Sequence, residues 1–158
     1  MIFATVGNSA FDALIAAVDS VCGKHHYETF AQIGLGRYEP KVLHWRRFLA
    51  AGDMVRSIRT ARLVVCHAGA GIVGEVMRAA RPMLVVPRTG NQVRWRDQGN
   101  QAEFAQVLAR EFGVTVVWDL QNLGSAIGEV LSRDPADIRY RLRETNVPML
   151  VASYLQTF

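Results

Sequence analysis

Cysteine is scarce in this chain of 158 residues: the two present, Cys22 and Cys66, stand far apart and fit no metal-ligand or redox spacing. A disulfide framework and a zinc site are thereby set aside, and both residues read as small buried apolar groups of a reducing compartment. Lysine is equally rare, since 16 of the 18 basic residues are arginine and only Lys24 and Lys41 remain. Without a lysine-rich tract carrying interleaved aromatics, nucleic acid is not an expected partner. The net charge of +4 is mild and suits a phosphate-bearing ligand or an anionic membrane surface. No apolar run approaches the length of about 20 residues that spans a bilayer, and the opening MIFATVG lacks the basic region of a secretory signal. The expected location is cytoplasmic, with any membrane contact made through a partner or a surface patch.

With 50% hydrophobic and 20% charged residues, the chain can bury a full core as one domain over residues 1–158. Met1 to Val6 reads as a strand closed by Gly7, and Phe11, Leu14, Ile15 and Val18 recur at helical spacing up to Gly23. Strands are predicted at Tyr27 to Ile33, Val42 to Phe48, Leu63 to Cys66, Met83 to Val86 and Val114 to Trp118. Helices are predicted at Asp53 to Thr60, Ile72 to Ala80, Asn100 to Phe112 with Gly113 as its cap, and Leu120 to Leu131. Strands that are almost continuously apolar and alternate with helices predict an α/β fold, a doubly wound, Rossmann-like parallel sheet covered on both faces. Ligands of such sheets sit at the carboxyl ends of the strands, which directs attention to loops 7–9, 34–40, 67–71 and 88–98.

The run His67-Ala68-Gly69-Ala70-Gly71-Ile72-Val73-Gly74-Glu75 lies between a predicted strand and a predicted helix. Glycines permit a tight turn and close approach of a ligand, and free N–H groups at a helix start favour an anion such as phosphate. Gly69, Gly71 and Gly74 also match the dinucleotide fingerprint GxGxxG. That fingerprint needs an acidic residue at the end of the next strand, where this chain has Pro87 and Arg88, and it normally follows the first strand rather than about the fourth.

HAGAG with Glu75 eight positions after His67, then Pro82, Pro87 and a polar cluster ending in DQGNQAEFA, resembles the nucleotide-sugar signature of the donor-binding, C-terminal-type domain of two-domain (GT-B) glycosyltransferases of the family 28 kind. MIFATVGNSAFDALIAAVD and QIGLGRYEP extend the likeness over about the first 110 residues. The chain is similar to stand-alone donor subunits such as the cytosolic half of the dolichol-linked N-acetylglucosaminyltransferase and bacterial exopolysaccharide glycosyltransferase subunits. The resemblance implies one half of a GT-B architecture with a UDP-sugar as donor substrate, and neither a cofactor nor a metal.

It further implies roles for single residues, each beside a plainer reading. His67 faces the donor diphosphate, or is a half-buried histidine bonded within its own loop. Gly7, Asn8 and Ser9 after the first strand, with Gly69, Ala70 and Gly71, line the phosphates. Glu75 accepts hydrogen bonds from the ribose hydroxyls, or is a favourable charge near a helix start. Phe48 and Leu49 receive the uracil ring, or are core residues at a strand end. Asp97, Gln98 and Gln101, beside Asn100 and Glu103, meet the sugar hydroxyls in one of two registers a residue apart, or form a solvated helix start capped by Asp97. Apart from the resemblance, Arg88, Arg94 and Arg96 read as ligands of phosphate or lipid headgroups, or as part of an exposed solvated loop, the commoner case for such a run.

Two positions depart from the family pattern: Ile72 stands where a serine or threonine hydroxyl is usual, and Asn8 replaces a threonine. Phosphate binding then rests on backbone N–H groups and His67. No residue sits in a clear motif for the general base, with Glu28, Glu39 and His44 as weak candidates, so the base is expected on a partner chain. The expected function is donor binding within a two-component transferase that moves sugar to a lipid-linked saccharide in polysaccharide synthesis, beside a membrane-anchored acceptor-binding glycosyltransferase subunit. A non-catalytic stabilising subunit and an NAD(P)-binding oxidoreductase domain are the alternatives. Val147, Met149, Leu150, Val151, Tyr154, Leu155 and Phe158 make 147–158 an apolar tail that packs on the domain's own core or docks on the partner.

Overall fold

The computed structural model describes residues 1–89, 101–134 and 140. Six parallel strands form one sheet in the order β3-β2-β1-β4-β5-β6: β1 (Ile2–Thr5), β2 (Thr29–Gln32), β3 (His44–Arg46), β4 (Leu63–His67), β5 (Met83–Val86) and β6 (Thr115–Val116). The helices are α1 (Asp12–Lys24), α2 (Ala51–Thr60), α3 (Ala70–Arg78), α4 (Ala102–Phe112) and α5 (Leu123–Ser132), the last preceded by a 3-10 turn at Leu120–Asn122. The doubly wound α/β class expected from the alternation of elements is the class observed.

Side chains alternate across the pleat, so each strand feeds two cores. Ile2, Ala4, Leu63, Val65 and Leu84 pack with Leu14, Ile15 and Val18 of α1 and with Leu123 and Ile127 of α5. Phe3, Val64, Cys66 and Val85 face the opposite way, against Ile58 of α2, Val73 and Val76 of α3, and Leu108 of α4. Burial on both faces is why the strands carry no polar alternation. Both cysteines are buried, and burial pushes the Cys66 thiol up to about 12, so it stays protonated and inert.

Element ends differ from the expectation where a side chain captures the backbone. The apolar run from Val42 suggests a strand, yet only His44–Arg46 pairs with β2. The buried carboxylate of Asp19 in α1 takes the N–H groups of Lys41, Val42 and Leu43 at 2.8, 3.0 and 3.2 Å, together with the Tyr38 hydroxyl at 2.8 Å. At the other end of the prediction, α3 begins at Ala70 rather than Ile72, because Val73 N–H bonds to the Gly69 carbonyl and closes a first turn on the glycines. The predicted start of α4 at Asn100 gives way to Ala102, with Gln101 in the capping position, and Gly113 caps its end in the left-handed conformation at φ 67°.

Four donors converging on Asp19 fix the segment that leads into β3. Burial alone raises a carboxyl pKa, but these hydrogen bonds outweigh it and hold Asp19 below the ordinary aspartate range. With the folded pKa depressed, this contribution is fully present above the unfolded value and is lost as pH falls through the folded one. Replacement by asparagine keeps the shape but turns two amide hydrogens towards N–H donors. Urea unfolding at neutral pH should therefore show Asp19→Asn less stable by about 2 kcal/mol, with a shallower acid loss below pH 3.8 than the parent.

Candidate functional site

From β1 the chain winds outward to β2 and β3, then returns beside β1 to form β4 and winds the other way to β5 and β6. The connections leaving β1 and β4 therefore diverge, opening a crevice at their carboxyl ends, the place where open α/β sheets bind ligands. The Gly7-Asn8-Ser9 loop forms one lip and the His67 to Gly71 turn the other.

The first lip is held by buried polar groups. Gln32, 1% exposed at the end of β2, donates from its amide to the carbonyls of Gly7 at 2.8 Å and Arg47 at 2.6 Å, while its oxygen accepts from the Thr5 hydroxyl at 2.6 Å. Thr5 accepts in turn from the Gly7 N–H at 3.1 Å. Ser9 donates from its hydroxyl to the Val6 carbonyl at 2.7 Å, and its own carbonyl accepts from Leu35 N–H at 3.1 Å. Gly34, at φ 57°, lies so close that a Cβ would collide with the carbonyl oxygens of Gly7 and Ser9. Asn8 is exposed at the tip of this lip.

On the second lip the His67 ring is folded back against Gly69, where a Cβ would strike its Nε2, and lies 3.5 Å from the position a Cβ would take on Gly7. The imidazole is thus wedged between the two loops, 8% exposed. Burial first, then the positive charge of Arg88, push its pKa down to about 4, and a backbone hydrogen bond with Thr5 opposes them only in part. His67 is neutral at pH 7, and its Nδ1 is buried without a hydrogen-bond partner among the described residues. Such a ring offers a hydrogen bond rather than a charge. Beside it the N-cap of α3 is Gly69, which has no side chain to close the helix start. Ala70 and Gly71 are exposed there, and a Cβ on Gly71 would meet nothing within 4 Å. The N–H groups of that turn face an accessible, positively polarised helix end.

The remaining expected residues divide. Glu75 sits one and a half turns down α3, where its carboxylate pairs with Arg78 at 2.6 Å and borders a cavity of about 140 Å³ with Val55, Ile58 and Arg59 of α2. Phe48 is half-exposed beyond β3, whereas Leu49 is partly buried against the second core. Ile72 also packs on that core, so its side chain serves the fold. Gln101 accepts from the Arg88 N–H at 3.0 Å and donates its own N–H to the Arg88 carbonyl at 3.3 Å. Asp97, Gln98, Asn100, Arg94, Arg96 and the tail 147–158 lie outside the described residues.

One reading is corrected and three weak candidates are placed. Arg88 does not belong to a solvated loop: it is 3% exposed, inside the crevice, with Nη1 donating to the Ala10 carbonyl at 3.2 Å. His44 opens β3 and Glu28 precedes β2, pairing with the chain's amino terminus at 3.5 Å, so both stand at the amino ends of strands and away from the crevice. Glu39 is nearer, but it is held by Arg47 at 2.6 Å. Gln32 and Thr5 lie outside the loops that the sequence singles out, and the available signal is a glutamine closing an apolar strand just ahead of two glycines.

Residues 1–140 match the glycosyltransferase family 28 C-terminal domain. The human UDP-N-acetylglucosamine transferase subunit ALG13 is 31% identical over 96 residues, covering 54% of this chain and 8% of that protein. The fold is shared with the spinosyn forosaminyltransferase SpnP at TM-score 0.66 and 13% identity, covering 98% of this chain and 43% of that one. It is shared too with MurG of Acinetobacter baumannii at TM-score 0.61 and 19% identity, covering 100% of this chain and 52% of that one. This chain thus spans about half or less of the proteins it matches. No helix among the described residues is long and apolar enough to cross a membrane. The glycine turn after β4, the crevice it borders and the match over residues 1–140 converge: the chain belongs to the glycosyltransferase family 28 C-terminal domains.

Proposed function

We propose that this chain binds the UDP-sugar donor of a glycosyltransferase, with the diphosphate over the start of α3. The observation that carries the reading is the glycine-capped, accessible helix start at the switch point, beside a buried, neutral histidine. Backbone N–H groups at that helix start form a donor set for anionic oxygens, and they supply the electrostatic relief that a departing nucleoside diphosphate needs. The likeness to ALG13, whose name makes it a subunit of a UDP-N-acetylglucosamine transferase, supports a UDP-sugar and a companion chain. A dinucleotide reading is weakened by the place of the glycine turn, which follows β4 instead of β1.

In this reading Glu75 turns from Arg78 to the ribose. An exposed pair three residues apart on a helix contributes about 0.3–0.5 kcal/mol, less than the 1.5–3 kcal/mol typical of hydrogen bonds to a charged group, so the exchange is favourable. The chemistry of transfer also needs a base on the acceptor hydroxyl. Glu28 and His44 stand away from the crevice, Glu39 is held by Arg47 and the His67 ring is buried, and in this reading the base and the acceptor site lie on a partner, a membrane-associated subunit that presents a lipid-linked saccharide.

Calorimetric titration should show UDP binding to the isolated chain and a loss of about ten- to a hundredfold in Glu75→Ala. Unchanged affinity in the variant rejects the ribose assignment, and no binding to the parent rejects the donor site. Incubation of UDP-sugar and lipid-linked acceptor with the chain alone should give no product, and addition of the partner should restore transfer. Efficient transfer by the chain alone contradicts the division of labour.

A further inference from the structure

Arg88 follows β5 by two residues, and its side chain crosses the mouth of the switch point towards the loop that leaves β1. Its Nη1 reaches the Ala10 carbonyl at 3.2 Å, and its Cζ stands 6.0 Å from the centroid of the Phe11 ring. The backbone of the same residue is clasped from the other side by Gln101 at the start of α4, through one bond in each direction. One line of contacts thus runs from α4 through the end of β5 to the start of α1. It passes His67, where the guanidinium charge helps keep the imidazole neutral. Arginine retains its proton at neutral pH even when burial draws its pKa down, so this strap carries a fixed positive charge.

We propose that Arg88 is a charge-bearing positioning residue of the crevice, held in place by Gln101, that makes the site prefer a nucleoside diphosphate over the uncharged nucleoside. The proposal rests on the donor-binding reading above and gives two of its residues different work. His67 stays neutral, while the charge facing the diphosphate comes from Arg88. Gln101 acts through Arg88, with its side-chain oxygen accepting from the Arg88 N–H. The long-range part of the attraction is Coulombic and is strengthened by the low dielectric of a buried site. It therefore scales with ligand charge, which a purely structural strap does not.

The test compares uridine, UMP and UDP by calorimetry against the parent, Arg88→Lys, Arg88→Met and Gln101→Leu, with thermal melts run in parallel. Arg88→Met should weaken UDP about ten- to a hundredfold while uridine affinity stays within twofold, with UMP between them. Arg88→Lys should recover most of the UDP affinity. Gln101→Leu should follow Arg88→Met in direction, with UDP and UDP-N-acetylglucosamine falling by the same factor. If uridine and UDP weaken together, or if Arg88→Met keeps the parent's ratio of UDP to uridine affinity, the proposal is overturned. A drop confined to the UDP-sugar in Gln101→Leu overturns the part assigned to Gln101. Absence of UDP binding by the parent is a separate result, which strikes the donor-binding reading itself.

Discussion

The Gln32 side chain joins the ends of three strands, and the shape of the crevice depends on it. An amide buried in a parallel sheet is costly unless its hydrogen-bonding groups are met. Here its oxygen takes the Thr5 hydroxyl from β1 and its nitrogen serves the carbonyls of Gly7 and Arg47. Those contacts place Gly7 opposite His67 and pin the chain just beyond β3, where Phe48 and Leu49 begin the approach to α2. Gly34 completes the arrangement by letting the second loop pass directly over the Gly7 and Ser9 carbonyls. A donor site built on such a frame is largely formed before any ligand arrives, which limits the ordering cost of binding.

Electrostatics within the frame follow from burial. The crevice has one histidine, and taking it out of water beside an arginine holds it neutral. The positive character of the site thus comes from the helix start and from a guanidinium, neither of which titrates near neutral pH. A diphosphate bound there, as proposed, would meet fixed partial and full charges, whatever the proton concentration between mild acid and mild base. Glu75 stands apart from this cluster, deeper along the groove between α2 and α3. That separation matches a ligand with an anionic end and a hydroxylated end several ångströms away.

Patterns that are local in sequence were legible. Apolar strands alternating with helical periodicity gave the parallel sheet, and a glycine-rich turn between the fourth strand and its helix located one lip of the site together with His67. What could not be read depends on contacts made only once the sheet is wound. Asp19 meets residues 22 to 24 positions away, Gln32 reaches back 25 positions to Gly7, and Arg88 spans 78 positions to Ala10. Periodicity assigns burial to helices and strands but says nothing of a loop arginine, so Arg88 looked like its neighbours Arg94 and Arg96. The shortening of β3 has the same origin, since a carboxylate on another element takes the N–H groups that an apolar run would offer to a strand.

The central claim is that a UDP-sugar occupies the crevice between the ends of β1 and β4. Its most direct test is a backbone amide NMR titration of the isotope-labelled chain with UDP. The account predicts that the largest shifts fall on Gly7 to Ser9 and on Ala68 to Ile72, the two lips of the switch point, with smaller changes along α3 near Glu75. Shifts concentrated instead on β6 and α5, or on the amino ends of β2 and β3, would contradict it.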